Sequence, residues 1–333
     1  MMGAAAVAAG LLTLMARETP AHADAEAEAK VSVGAEAKEG EAQEGEGKHE
    51  EVGKAGLDLV LGWGKVPFAV LSTPATGPVP NPTYTYADKV PSNVQSFILG
   101  GSMEIMEHVE VGARLPFSFA GFSPDGTPGR SATSFGNLEL EGAYGGRVAE
   151  GLRLTGSLGL ALPTAQGTEV PPDLNVAATY VDQSAYDRWS LNRAAAAARG
   201  YEDNALFEPN RLGIIPKVGL LYRTHGLSLE PYLKIENLIS TSSSLTNSYV
   251  GELVGGLRVG YWVHKEFEVA LRGWVNVGYA GADDDKKTTV AIEPQAVLRF
   301  GPVRPYLGVI IPFTGPPNDG GFVGLRLGVD VAF

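Results

Sequence analysis

The last twelve residues of the chain, FVGLRLGVDVAF (Phe322–Phe333), alternate between two faces without interruption. One face is apolar throughout and consists of Val323, Leu325, Leu327, Val329, Val331 and Phe333. The other face carries the charged residues Arg326 and Asp330. Because successive residues of a strand point to opposite sides of a sheet, this stretch predicts a strand with one wholly apolar wall and one charged wall. A strand of this kind suits a boundary between hydrocarbon and a polar interior.

The same alternation recurs upstream, in runs separated by turn signals. It predicts twelve strands, near residues 56–63, 96–105, 109–118, 137–145, 152–162, 211–223, 227–236, 249–263, 267–279, 290–300, 305–313 and 322–333. Most have about the 9–11 residues with which a tilted strand crosses a bilayer. The connections alternate between tight turns and longer loops, as in outer-membrane barrels, whose periplasmic turns are short and external loops long. The longer connections are 64–95, 119–136, 163–210, 237–248, 280–289 and 314–321.

Each predicted strand has two sets of alternating positions, one apolar and one polar, and every charged residue falls in the polar set. If the apolar parity points outward, every charged strand residue points inward, as lipid contact requires, since an outward Arg or Lys at the membrane midplane costs about 2–4 kcal/mol. The inward charges are nearly balanced and are predicted to line a lumen. The eleven acidic ones are Asp58, Glu104, Glu110, Glu139, Glu141, Glu230, Glu236, Glu252, Glu268, Glu293 and Asp330. The ten basic ones are Arg114, Arg153, Arg211, Lys217, Arg223, Lys234, Arg258, Arg272, Arg299 and Arg326.

Outward aromatic residues gather near both ends of the predicted strands, as aromatic belts do at membrane interfaces. Trp63, Tyr249 and Tyr279 lie near one end, and Tyr144 and Phe333 near the other. The fold predicted is therefore all-β: a 12-stranded antiparallel up-and-down transmembrane β-barrel, with a short helix in one long external loop. A soluble lipocalin-like barrel or sandwich would alternate equally well, but it does not predict the terminal phenylalanine, the aromatic bands or the one-sided loop lengths.

The amino-terminal part of the chain has a different composition. Residues 4–16 are apolar, and Ala21-His22-Ala23 resembles a secretory cleavage site, so we expect residues 1–23 to be a signal peptide. Residues 24–54 hold ten acidic and four basic residues, a net charge of −6, and are expected to be a disordered acidic periplasmic tail. Residues 55–333 would form the barrel. An even number of strands then leaves both termini in the periplasm of a Gram-negative outer membrane.

Two resemblances support export to that membrane. The alternating end with terminal Phe333 resembles the β-signal recognised by the outer-membrane assembly machinery. The strings GNLELEG (136–142) and LGLALPTAQG (158–167) look like a hairpin of the twelve-stranded transporter family of the MetA pathway of phenol degradation. That resemblance covers about a tenth of the chain, and it implies solute uptake.

The residue types present exclude several kinds of chemistry. The chain has no cysteine, and its net charge of −12 disfavours nucleic acid, whose phosphates require a basic surface. His108, His225 and His264 fall in or beside the short turns, away from the external rim where histidine-dependent barrel enzymes work. We therefore expect no enzyme, cofactor or metal centre. The run Asp283-Asp284-Asp285 could bind a divalent cation, but a solvated turn is the favoured interpretation.

The longest loop, 163–210, is the candidate functional segment. Asp182 to Arg199 predicts a helix that Gly200 ends, with Tyr186, Trp189 and Arg193 on one face. Loops of this length are usually functional or disordered, so these three residues are predicted to form a constriction at the pore mouth. The equal alternative is an exposed lid packed on other loops.

Together these features predict an outer-membrane channel that passes small solutes passively through a narrow charge-lined lumen. Arg114, Arg258, Arg272, Arg299 and Arg326, with the facing glutamates, would set its selectivity. The alternative is a plugged barrel that acts as a structural or surface-interaction protein, and a barrel enzyme with a non-histidine site is a third. The partners expected are outer-membrane lipids, lipopolysaccharide, the barrel-assembly machinery and the solute.

Overall fold

The computed structural model describes residues 53–72, 83–123, 129–167, 183–242, 245, 247–281 and 288–333. For residues 67–72, 83–89 and 183 only the backbone is described, and not the side chains. The predicted signal peptide, most of the acidic tail, Asp182 and Asp283 to Lys287 lie outside these residues. None of the described helices is long and apolar enough to cross a membrane.

The described chain is almost entirely β-structure. Its strands are β1 (Gly53–Ser72), β2 (Thr83–Met106), β3 (Val109–Phe122), β4 (Arg130–Phe135), β5 (Leu138–Ala149), β6 (Leu152–Leu162), β7 (Arg211–Thr224), β8 (Leu227–Ser240), β9 (Tyr249–His264), β10 (Phe267–Ala280), β11 (Thr288–Leu298), β12 (Val303–Pro312) and β13 (Val323–Ala332). Its helices are α1 (Gln183–Ala198), a short 3-10 helix (Asn204–Leu206) and α2 (Gly315–Asp319).

Antiparallel pairing of neighbouring strands closes the sheet into a barrel. β1 pairs with β13, from Lys54↔Ala332 to Trp63↔Val323, so the two ends of the sheet meet. β4 and β5 act as one interrupted strand, because β4 pairs with the second half of β3 and β5 with its first half. The interruption falls at Gly136 and Asn137. The barrel therefore has twelve staves, which confirms the predicted fold class.

Two of the predicted long connections were wrong in extent. β1 continues to Ser72 and β2 begins at Thr83, so most of the predicted loop 64–95 is a paired hairpin. Likewise β3 reaches Phe122, and β4 occupies part of 119–136. Backbone hydrogen bonds between these strands continue past the apolar band because strand pairing does not require surrounding lipid. The sequence prediction ended each strand where the apolar alternation ended. The loop 314–321 also contains a second short helix, α2.

The outer surface of the barrel is an apolar band. Leu158, Leu257 and Leu271 are 51%, 44% and 52% exposed in mid-strand. Among the strand side chains that the structure describes, the one outward charge is Lys65, which lies past Trp63 at the end of the barrel with the long connections. We call this the long-connection end and the opposite end the short-turn end. Tyr249, Tyr279 and Asn237 form a hydrogen-bonded group near the long-connection end, with the two hydroxyl groups 2.8 Å apart.

The interior contains a packed core as well as charge. Toward the long-connection end, inward Val60, Val94, Ile98 and Phe122 are buried and pack with the alanines of α1. Gly62 of β1 lets the helix approach, since a Cβ atom there would collide with Ala198. The inward side chains of β1–β3 are thus apolar near this end, whereas the sequence analysis predicted a charge-lined lumen inside the barrel.

Replacing Leu257 with Arg tests the hydrocarbon contact of the outer band. Leu257 lies midway along β9 and points outward, so we expect Leu257→Arg to lower the free energy of unfolding in lipid vesicles by about 2–4 kcal/mol. Ile239→Arg, near the end of β8 and also outward, is the matched control and should cost about 0–1 kcal/mol. Denaturant titration followed by gel migration measures both. Equal costs at the two depths would contradict a hydrocarbon surface.

Candidate functional site in the barrel interior

The long loop enters the barrel. We call residues 183–210 the inner segment: it comprises α1, a turn at Gly200 and Tyr201, the short 3-10 helix and the return to β7. From Ala194 to Phe207 nearly every residue is buried. The helix ends because Gly200 and Tyr201 adopt left-handed φ angles of 63° and 55°. A side chain at Gly200 would press on Trp274 and Ala291, so glycine is required there for space as well as for φ.

Arg199 is the first anchor between the inner segment and the wall. Its guanidinium donates to Asp58 Oδ2 at 2.7 Å and to the hydroxyl and carbonyl oxygens of Ser96, both at 3.0 Å. Arg326 of β13 donates to the same Asp58 carboxylate at 2.8 Å. All three charged groups are buried. One carboxylate therefore joins β1, β13 and the end of α1.

Glu202 and Asp203 are the second anchor. The Glu202 carboxylate accepts from Tyr232 at 2.7 Å and from Arg272, and the Glu202 carbonyl accepts from Lys234. Asp203 accepts from Arg114 at 2.7 Å, while Glu139 accepts from the same guanidinium. Burial alone would raise the pKa of the Asp203 carboxyl, but the adjacent Arg114 and Lys234 hold that pKa below its usual range. Asp203 is therefore ionised and paired inside the barrel.

The backbone of the turn is held as firmly as its side chains. Trp274 Nε1 donates to the Gly200 carbonyl at 2.9 Å, and Asn276 donates to the Tyr201 carbonyl at 2.8 Å. Asn204 donates to Glu252 at 2.7 Å, and the Ala205 amide donates to Glu236 at 2.9 Å. These partners lie on β8, β9 and β10. These four residues thus contact three neighbouring staves of the barrel wall.

Asn137, at the interruption between β4 and β5, joins both ends of the long loop. Its side-chain amide donates to the carbonyl groups of Ala205 (2.8 Å) and Glu208 (2.7 Å), and its Oδ1 accepts from the Ala165 amide at 2.9 Å. Its own amide donates to the Leu206 carbonyl at 2.6 Å. Asn137 is fully buried. At the break in the stave, Asn137 therefore bonds to the long loop instead of to β3.

The predicted lumen residues occupy three levels of the barrel. Those that contact the inner segment directly include Asp58, Arg114, Lys234, Glu236, Glu252, Arg272 and Arg326, with Glu139 and Glu293 paired to them. Nearer the short-turn end, Arg258 lies between Glu230 (2.7 Å) and Glu268 (2.8 Å). Glu141 is buried and Lys217 is half-buried, its amine 5.4 Å from the Tyr232 ring centre. Half-exposed near that end are Glu110, Arg153, Arg299 and Asp330.

Glu104 and the predicted constriction residues lie elsewhere. Glu104 is exposed at the β2–β3 turn and accepts the amide of His108 at 3.1 Å. Tyr186 and Trp189 are buried on α1, and the Arg193 guanidinium lies 4.9 Å from the Trp189 ring centre. The two anchors to the wall are formed by Arg199, Glu202 and Asp203, which the sequence prediction did not single out. Their signal was available, since two carboxylates and an arginine immediately follow an alanine-rich helix. Among the described residues, no three potential ligand side chains are grouped to hold a metal.

Comparison with known proteins identifies the fold. No family model matches the chain, and no curated protein matches its sequence. The structure is similar to that of an outer membrane channel from Pseudomonas putida F1, with a TM-score of 0.54, 15% identity, and coverage of 88% of this chain and 100% of that one. The shared property is the barrel fold. The NanC porin (TM-score 0.44, 10% identity, 83% and 100% coverage) and the translocator domain of the autotransporter NalP from Neisseria meningitidis (0.42, 13%, 94% and 96%) are less similar.

Removing the Asn137 side chain tests whether it holds the inner segment. Asn137→Ala leaves two carbonyl groups and one amide without partners, and each lost buried bond costs about 1–3 kcal/mol. We expect faster hydrogen exchange across 163–167 and 199–210, with the barrel strands still protected. Asn247→Ala, which removes an exposed bond to the Gly281 carbonyl, is the control. Unchanged exchange in the Asn137 variant would refute this anchoring role.

Proposed function

We propose that the protein is an outer-membrane channel for small solutes, in which the inner segment restricts passage. The observation that carries this proposal is the placement of residues 199–205 inside the barrel, bonded to inward side chains of β1, β2, β3, β8, β9 and β10. A barrel that served only as a membrane anchor would need no charged interior. The similarity to the Pseudomonas channel supports the fold, and the resemblance of the 136–167 hairpin to a transporter family supports solute uptake.

The contacts of the inner segment are suited to reversible displacement. A buried ion pair gains little net free energy over a hydrophobic contact of the same shape, because desolvation of both charges offsets their attraction. When the segment withdraws, water can reach the released carboxylates and guanidinium groups, so neither is left in a dry interior. Acidic and basic groups alternate around this level of the wall, so a passing solute meets both signs, and we propose weak charge selectivity.

The plugged barrel is the second candidate function. The same contacts favour it, because a segment bonded to so many staves also braces the wall. In this case the long connections, rather than the lumen, would carry the function as an interaction surface. The two candidates differ in whether the inner segment leaves its place, which electrical measurement can decide.

Location and orientation belong to the proposal as well. We propose that the apolar outer band contacts outer-membrane lipids and lipopolysaccharide, and that the barrel-assembly machinery recognises Phe333. Phe333 is 70% exposed, and its amide and carbonyl both bond to Gly53 at 2.9 Å. Both ends of the barrel sequence therefore lie at the short-turn end. After cleavage of residues 1–23, that end would face the periplasm.

Single-channel recording on Glu202→Gln tests the channel and its restriction together. Loss of the Glu202 charge leaves Arg272 with fewer partners and weakens the inner segment, so we expect more frequent or larger conductance steps in planar bilayers than for the unmodified protein. Glu268→Gln breaks a comparable buried pair between wall residues alone. It should shift ion selectivity without raising the frequency of opening.

Each result supports one candidate. If neither the unmodified protein nor Glu202→Gln conducts above the bare bilayer, the channel proposal fails and the plugged barrel stands. If both conduct equally, the protein is a channel that the inner segment does not restrict. Heat-modifiable gel migration shows for each variant that the barrel has formed.

A further inference from the structure

Glu141 of β5 is a buried carboxylate without a hydrogen-bond partner. It points into the barrel and is 5% exposed, yet neither of its two oxygen atoms accepts a hydrogen bond. The hydroxyl group of Ser157 interacts with it, but without the geometry of a hydrogen bond. Buried polar groups are normally bonded, and a buried carboxylate is costly unless it is paired. Glu141 is therefore a group to which a bound molecule could donate.

Lys217 of β7 is a cation in the same situation. It interacts with the charge of Glu141 across the lumen, but it forms no ion pair with any carboxylate that the structure describes. Its partner on the neighbouring strand is Lys234, which bonds instead to Glu236 at 2.7 Å. Like charges directly opposite each other in a sheet are destabilising. Two groups of opposite sign thus face the same part of the lumen without joining.

The residues beside Glu141 leave it free to turn. Its direct partners on the two neighbouring strands are Gly112 of β3 and Gly159 of β6, so neither places a side chain against it. Gly159 makes room for the Glu139 carboxylate, whose Oε1 atom would collide with a Cβ atom there. That Oε1 atom is also without a hydrogen bond, whereas Oε2 accepts from Arg114 at 3.1 Å. Two neighbouring carboxylates therefore offer three oxygen atoms that accept no hydrogen bond.

The position between the two charged groups is open to the lumen. β6 lies between β5 and β7, and Ser157 is the inward residue directly opposite Lys217. Ser157, Lys217 and Thr155, which is the next inward residue toward the short-turn end, are each only half-buried. Strands two apart are separated by about 10 Å, so the long side chains of Glu141 and Lys217 can both contact one small molecule over Ser157.

We propose that Glu141 and Lys217 bind the two ends of a small zwitterionic solute, an ammonium group at Glu141 and Glu139 and a carboxylate group at Lys217. An ammonium group has three donors and no acceptor, which matches the three carboxylate oxygens. Charge-assisted hydrogen bonds are the stronger kind. A solute with a single charge would leave one of the two groups unpaired.

This site rests on the proposed function, because it names the class of solute that the lumen of the channel takes up. Binding itself does not require the solute to pass the inner segment. The site opens toward the short-turn end, whereas the inner segment lies on its other side, bonded to Arg114 and Lys234. Binding and conduction can therefore be measured separately.

Three probes of the same chain length test the site: β-alanine, propylamine and propionate. Calorimetric titration of the full-length protein in detergent should give β-alanine a Kd at least tenfold lower than that of either single-charge probe. Glu141→Gln and Lys217→Met should each reduce this difference to less than twofold. Glu104→Gln, which alters an exposed carboxylate near the same end, is the control and should leave the difference unchanged. Heat-modifiable migration shows that each barrel is folded.

The outcomes separate this site from the channel itself. Equal binding of the three probes, no binding of β-alanine to the folded protein, or a preference that survives both variants would each overturn the proposal. If β-alanine binds selectively but planar bilayers show no conductance, the site stands and the channel proposal fails. If the protein conducts and the three probes bind alike, the channel stands and this site fails.

Discussion

An unpaired charge buried between the wall and the inner segment would cost several kcal/mol, and this constraint decides how the interior is arranged. Asp58 is shared by Arg199 of the segment and Arg326 of the wall. Glu202 of the segment is likewise shared by Arg272 and Arg326. Charged groups of the wall and of the segment are thus partners in the same ion pairs, so the position of the segment is fixed by charge as much as by shape.

The interior is divided along the barrel axis into an apolar part and a charged part. Toward the long-connection end, α1 buries alanines against Val60, Val94 and Ile98, with no polar partner required. At mid-height the turn after the helix presents Arg199, Glu202 and Asp203 to the wall. The apolar contact gives the helix a hydrophobic reason to enter the barrel, while the ion pairs specify its depth. Rotation or translation of the helix would separate Arg199 from Asp58 and Glu202 from Arg272.

The strand pattern could be predicted from the sequence because side chains that face lipid are uncharged, and this constraint applies to each strand separately. Strand ends were less predictable, since pairing at Ser72 or Thr83 is decided by the neighbouring strand. The helix of the long loop was predicted within one residue at each end, from its alanines and Gly200. Its partners could not be predicted: nothing in the local sequence says that Arg199 meets Asp58, 141 residues away. One signal was present and missed, namely the inward apolar residues Val94 and Ile98, which a water-filled lumen does not explain.

The hairpin that resembles a transporter family has a role in this chain that the resemblance alone did not suggest. Asn137 of the first string holds the inner segment, and Thr164 of the second accepts the Leu138 amide at 2.8 Å and donates to the Gly136 carbonyl at 2.9 Å. Gln166 accepts from Asn192 of α1 at 2.7 Å. These residues bond loop to wall, and only Glu139 and Glu141 of the two strings carry charge into the lumen. The hairpin is therefore the joint from which the inner segment enters the barrel.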